Sequence, residues 1–455
     1  MRPVIFLLLL MISSPSFSQI IFEPELTWEQ AAKKAKAENK LIFIHLEGNK
    51  CQQCNEVASQ GFNSGVLREK FAVNFISLRV NVETEAGKKL TEKFGIKGSL
   101  VSLFVDPQGN ILHRYEGSTS AGFIYAEQAD IALSRRGGKQ LDQFIKEYEG
   151  GQRSLPFLKE YIVKRKQSSL SVEDLLDEYI TLLPADSLKN YNTIRYIYAQ
   201  GPSLESKAYK SIQAVAPKTL MDSIYRTVPF SEAVAMNNAI INTSFKKAVD
   251  KKDRELAYTV SRFSANSYMP DITKGMLAFN RSILRYFYFV KDTSRYFLET
   301  RRFLGQVHQR LTVDSLLKMD EKEFRNQPFP KETPSKEVSI QRVGFTAPSQ
   351  FFHIELNEHA WHFYEMARKK EDLENALQWS QLSMAWFDEL TKNKQHPMRL
   401  GNAAYLDTYA HILYKLERRN EAIEWQTKAV EVQKVTGHPT GSFEATLAKM
   451  KEGKL

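Results

Sequence analysis

The chain has 455 residues and a formal net charge of +10, with hydrophobic residues at 42% and charged residues at 25%. That length exceeds what one core fills, so two or three domains are expected, and the ordinary composition argues against a disordered or fibrous chain. The basic residues are spread along the sequence, which speaks against nucleic acid as a partner, and the densest basic-aromatic stretch, Arg281 to Arg302, reads as a buried helix face flanked by solvated arginines.

At the start of the chain Arg2 precedes an apolar run from Val4 to Ile12, followed by Ser-Ser-Pro-Ser-Phe-Ser. The run is too short to span a bilayer and has the order of a secretory signal peptide, so residues 1–18 are expected to be removed and the mature chain to begin at Gln19 in the periplasm. No Cys lies between the run and Cys51, so no lipid anchor is expected, and no later stretch approaches the roughly 20 apolar residues of a membrane span.

Residues 27–40 combine a Thr cap, alanines at helical spacing and a terminal Asn, and predict a helix. Leu41 to Leu46 is a short apolar run rich in strand formers and predicts a buried strand. Further strands are expected at 75–82, 100–105 and 111–116, the last two joined by an Asp106-Pro107-Gln108-Gly109-Asn110 turn. Helical segments fall between them at 54–60, 66–71 and 85–94, with another from Ala121, so the expected fold class is an α/β layer around a mixed sheet. Beyond about residue 125 the strand signal fades, and 171–183, 203–215, 231–247 and 254–263 carry helical periodicity with Ser or Asp at many starts.

Four prolines (Pro328, Pro330, Pro334 and Pro348) mark 325–350 as a linker or long loop. After it, Ala376-Leu377-Gln378-Trp379 is echoed by Ala422-Ile423-Glu424-Trp425 at an offset of 46 residues. A TPR repeats at about 34 residues, and 392–399 accounts for the difference as an insertion. Two TPR-like units are therefore expected in an all-α second half. The histidines His353, His359 and His362 fall on one predicted helix with no clear ligand spacing, so packing or surface roles are expected of them. There is no phosphate-cradling Gly-rich loop and no hydrolase nucleophile motif, and no cofactor is expected.

The only two cysteines stand three residues apart, in Cys51-Gln52-Gln53-Cys54. A disulfide stabilises more the longer the loop it closes, so this pair is poorly suited to holding a fold together, and reactivity is the better reason for it. Its setting resembles a family. Trp28-Glu29-Gln30-Ala31, Lys36-Ala37-Glu38-Asn39-Lys40, a strand, Cys-x-x-Cys, Phe62, Val66, Phe71, Asn74-Phe75, Glu85-Ala86-Gly87, Phe94-Gly95-Ile96, a strand and Asp106-Pro107-Gln108-Gly109 together resemble the exported thioredoxin-like proteins of bacteria. The resemblance covers about residues 22–150, and the C-terminal repeat pair is similar to that of thioredoxin-family proteins of the Bacteroidetes type. It implies a thioredoxin-like domain at 19–150, a helical domain at 151–324, the Pro-rich stretch at 325–350 and TPR-like repeats at 351–455.

The resemblance also implies a chemistry. The positive end of a helix stabilises a thiolate at Cys51, which attacks a protein disulfide, and Cys54, one turn on, resolves the mixed disulfide. Lys50 adds a positive charge beside it. Three positions depart from the family pattern. Lys50 stands where a Trp is usual, His45 where a buried Asp is usual, and Leu100, after Ser99, where a cis-Pro is usual. His45 is then a candidate shuttle for the proton of Cys54, with Glu47 a second candidate and a hydrogen-bonded core histidine the plainer alternative. Ser99 and Leu100 form the expected substrate ledge, with Leu100 expected in a trans peptide. A Zn or Cu site from Cys51, Cys54 and His45 is the weaker reading, since two thiolates are too few for a closed Zn site. The expected function is a periplasmic thiol-disulfide oxidoreductase whose helical region binds a protein partner; the rival is a scaffold on which the same fold is a non-catalytic platform.

Overall fold

The structure is a computed structural model that describes residues 20–23, 26–48, 52–96, 100–168, 170–326, 347–392, 401–437 and 440–455. The chain divides into two compact units, Met1–Ser244 and Phe245–Leu455. The expected signal peptide lies outside the described residues.

In the first unit, helix α1 (Trp28–Ala37) is opened by a capping box in which Thr27 Oγ1 accepts from Gln30 N–H and Gln30 Oε1 accepts from Thr27 N–H. Asn39, in the left-handed region at φ 52°, then turns the chain into β1 (Leu41–Glu47). Helices α2 (Gln52–Phe62) and α3 (Gly65–Asn74) form the crossover that parallel pairing requires, bringing β2 (Phe75–Asn81) alongside β1. After α4 (Glu85–Lys93) come β3 (Val101–Val105) and β4 (Ile111–Glu116), then α5 (Gly122–Ser134). The sheet order is β2-β1-β3-β4, with β1 and β2 parallel and the other neighbours antiparallel. The turn between β3 and β4 is organised by Asp106, whose carboxyl accepts from the amides of Gln108 and Asn110, while Gly109 takes φ 95°.

Strand alternation splits the sheet core into two layers. Leu41 and Phe43 face Ala58 and Phe62 of α2, Phe71 of α3 and Tyr125 of α5, whereas Ile42, Ile44 and Leu46 face Ala31 and Ala35 of α1. Phe43 sits at the centre of an aromatic cluster, its ring 4.9 Å from Phe71 and 5.0 Å from Phe104.

Helices then take over. The first unit continues through α6 (Leu141–Glu149), α7 (Leu155–Gln167), α8 (Glu173–Leu182), α9 (Tyr191–Gln200), α10 (Lys207–Val215) and α11 (Lys218–Thr227) into α12 (Phe230–Lys251), within which the two units divide. The second unit holds α13 (Arg254–Asn266), α14 (Ile272–Phe289), α15 (Thr293–Gln306), a 3-10 turn at His308–Arg310, α16 (Val313–Asn326), α17 (Pro348–Met366), α18 (Lys370–Thr391), α19 (Ala403–Lys415), α20 (Arg419–Val435) and α21 (Gly441–Glu452). Helices α13 and α14, α17 and α18, and α19 and α20 pack as consecutive pairs. Asp253, Asp271, Asp292 and Asn402 cap the helices that follow them, each side chain accepting from a backbone amide of the first turn.

The echoed Ala-x-x-Trp segments fall in α18 and α20, each the second helix of its pair. Of the stretch 325–350, residues 327–346 lie outside the described residues. Helix α16 runs to Asn326, and Pro348 opens α17 as its first residue, where its missing N–H leaves no helical bond unmade. No helix among the described residues is long and apolar enough to cross a membrane.

Candidate functional site

Helix α2 places Cys54 in its first turn, which carries no acidic side chain to oppose a negative sulfur. Ala58 and Phe62 follow at four-residue intervals and are buried against the sheet, so Cys54 continues the same helix face toward the C-terminal end of β1 and is itself half-buried. Its sulfur is held in a disulfide. Asn55 Nδ2 donates to the Gly48 carbonyl at 3.0 Å, tying the start of α2 to the end of β1. Cys51, Lys50 and Ser99 lie outside the described residues.

Beneath this helix, His45 and Glu47 project from β1 on the face that bears Phe43. His45 is fully buried, with Nδ1 2.9 Å from Ser102 Oγ on β3 and its ring edge-on to Phe62 at 4.9 Å, while Nε2 has no hydrogen-bond partner among the described residues. Burial and, after it, the Arg79 charge push its pKa down to about 3, so the ring is uncharged at neutral pH. Glu47 is only partly buried, its side chain 18% exposed, and Arg79 Nε lies 3.2 Å from Oε1. Burial raises the Glu47 carboxyl above the ordinary range, with Arg79 opposing. Arg79 is fixed in turn by stacking, its guanidinium 4.6 Å from the Phe22 ring centre and 5.5 Å from that of Phe62.

Leu100, at the head of β3, adopts φ 65°, a left-handed conformation that costs a non-glycine residue about 1–2 kcal/mol. Two backbone bonds hold it there: its N–H donates to Leu46 O and its carbonyl accepts from Gly117 N–H, both at 2.8 Å. Neither a proline ring nor its fixed negative φ fits that geometry. The peptide preceding Leu100 lies outside the described residues.

The structure thus gathers Cys54, His45, Glu47 and Leu100 around the end of β1, and adds two residues that sequence reasoning missed. Ser102 meets His45 only through strand register. Arg79 carried a signal, as the lone charge within the strand Phe-Ile-Ser-Leu-Arg-Val. Among the described residues no group of three or more His, Cys, Asp or Glu side chains is placed to hold a metal ion.

The histidines of α17 have packing roles inside the second unit. His353 Nδ1 lies 2.7 Å from Tyr405 Oη, and His359 and His362 share the hydroxyl of Tyr296. Glu355, between them, takes a two-pronged bond from Arg281 at 2.8 and 3.1 Å and lies 3.0 Å from His308 Nε2. Burial works to raise the Glu355 carboxyl, but His308 and Arg281 outweigh it and hold the group at about 2.

No family model matches this chain, and no curated protein matches it.

Proposed function

We propose that the chain is a thiol-disulfide oxidoreductase of the thioredoxin-like kind, exported to the periplasm and acting on protein disulfides through Cys51 and Cys54. The observation that carries this reading is Cys54 on the first turn of α2, on that helix's sheet-facing side, above a β1 end that bears a partly buried carboxyl.

In the reducing direction, the Cys51 thiolate attacks one sulfur of a substrate disulfide; a new S–S bond forms and the other substrate sulfur leaves as a thiolate. Cys54 then gives up its thiol proton and attacks Cys51 Sγ. The mixed disulfide breaks, the second substrate thiolate takes up a proton, and the protein is left oxidised by two electrons. Of the two candidate acceptors for the Cys54 proton, Glu47 is the better suited. Its carboxyl is raised toward the range of a working base and reaches solvent, whereas His45 binds a proton only near pH 3. The oxidising direction is the same sequence reversed. The helical pairs α17–α18 and α19–α20, read as TPR-like units, hold the protein partner.

Cys54→Ser tests this directly, because a protein lacking the resolving thiol accumulates its substrate as a mixed disulfide. Incubated with a periplasmic extract and resolved without reductant, the variant is expected to give adducts that dithiothreitol releases and that Cys51→Ser does not form. Absence of adducts, together with unaltered insulin reduction in both variants, would overturn the enzyme reading in favour of a platform.

A further inference from the structure

The polar seam between α15 and α17 takes no part in the thiol chemistry, and its hydrogen-bond count is unusual. The hydroxyl of Tyr296, a side chain 1% exposed, lies 2.6 Å from Nδ1 of His359 and 2.7 Å from Nδ1 of His362. One hydroxyl carries one proton. With both rings uncharged, Tyr296 donates to one Nδ1 and accepts from the other, so the two imidazoles hold opposite tautomers. Packing completes the seam: Phe363 stacks on Phe297 at 4.0 Å, and Tyr288 of α14 stacks on His362 at 3.7 Å while donating to Glu365 at 3.0 Å.

We propose that this shared hydroxyl makes the α15–α17 seam an acid-released latch, closed while both imidazoles are uncharged and opened when protons bind them. A first proton turns the accepting Nδ1 into a donor, and the Tyr296 O–H then has to swing away from it. A second proton places two positive rings 6.3 Å apart in an apolar surround.

The charged and titratable neighbours relieve this only in part. From α14 the seam is faced by Arg281, Arg285 and Tyr288, from the turn after it by Lys291, from α15 by Tyr296 and from the 3-10 turn by His308. Glu355, Glu358 and Glu365 come from α17 itself. Of these, Glu355 is already bonded to Arg281 and Glu365 to Tyr288. Burial first, then the nearby positive groups, depress both rings, His359 to about 4 with Glu355 partly opposing, and His362 to about 3. An unfolded histidine titrates near pH 6.5. Stability from keeping the rings uncharged is therefore complete above about 6.5 and is lost as pH falls from there toward the folded values.

Four of the five tryptophans, Trp361, Trp379, Trp386 and Trp425, lie in α17 to α20. In the full chain carrying Trp28→Phe, emission is expected to shift to longer wavelength, reversibly, with a midpoint between pH 6.5 and 4. The added pair His359→Gln and His362→Gln should move that midpoint at least one pH unit lower. Selective ¹⁵N labelling of histidine in the unsubstituted chain supplies a readout independent of how the variants fold, and opposite tautomers at His359 and His362 at pH 7.5 are expected. The proposal is overturned if emission is constant down to pH 4, if the double variant keeps the original midpoint, or if the two rings share a tautomer or carry charge at neutral pH.

Discussion

The sheet unit and the helical unit bury different things. Among the described residues, the interior between the layers of the sheet is almost wholly apolar, with His45, Ser77, Ser102 and Asp106 the exceptions. In the second unit, helices are joined by buried or half-buried polar pairs: Arg281 with Glu355, Arg301 with Asp372, Tyr296 with His359, His353 with Tyr405, and Gln426 with Asp407. A strand is told its neighbour by backbone hydrogen bonds and register, so its side chains need only fill space. A helix satisfies its own backbone and meets its neighbours through side chains alone. We read the polar pairs as what selects one helix packing over others of similar apolar area.

Substitutions in the two units sharpen that contrast. Phe43→Ala removes the hub of the sheet's aromatic layer and should lower stability by about 3–5 kcal/mol, read as a shifted urea midpoint in circular dichroism; a loss under about 1 kcal/mol would mean the layer refills easily. Next in size, Arg281→Leu leaves the Glu355 carboxylate buried with only His308 beside it. The expected loss is about 2 kcal/mol, reduced from the fully buried case because the arginine side chain is 37% exposed. Glu355 is held at about 2, so the stability its pairing supplies is present above the unfolded value near 4.3 and fades as pH falls toward 2. The deficit of the variant should narrow over the same range. Adding Glu355→Leu should recover most of the loss at pH 7, and a double variant no better than the single would count against the pair as a selector.

The smallest effect belongs to the edge of the sheet unit where its apolar rule lapses. Glu47→Gln should slow release of substrate from the mixed disulfide about tenfold, equivalent to about 1.4 kcal/mol, and no more, because solvent reaches the site and can take the proton instead. Since burial raises the Glu47 carboxyl, its ionisation weighs against the fold as pH rises, and the glutamine variant should be slightly more stable at pH 8 than the parent. An unchanged rate across pH 6 to 9 would remove Glu47 from the proton path.

The same contrast decides what could be read beforehand. Strands β1 to β4 were legible as apolar runs ended by turn residues, and α1 by its Thr27 cap and alanine spacing, because these signals are local. The helix start after Asp253 was legible for the same reason, yet which helix it would meet was not. The partners Arg281 and Glu355 stand 74 residues apart, and nothing in either segment names the other. At the candidate site, Cys54 and Glu47 were visible from spacing, while Ser102 and the stacking of Arg79 on Phe22 arise only when register brings three strands and the chain start together. The left-handed turn at Leu100 carried no sequence sign, since leucine is not a residue that announces φ 65°.

Strand β2 lies at one margin of the sheet, where Glu23 N–H donates to Ser77 O, while Ile20, 2% exposed, is anchored by its N–H to Phe62 O at the end of α2. Trimming at the front of the chain therefore has a sharp tolerance. A product that starts before Ile20 keeps this contact, whereas one shortened by four further residues leaves the Ser77 carbonyl at the sheet edge bare, open to strand pairing with another molecule.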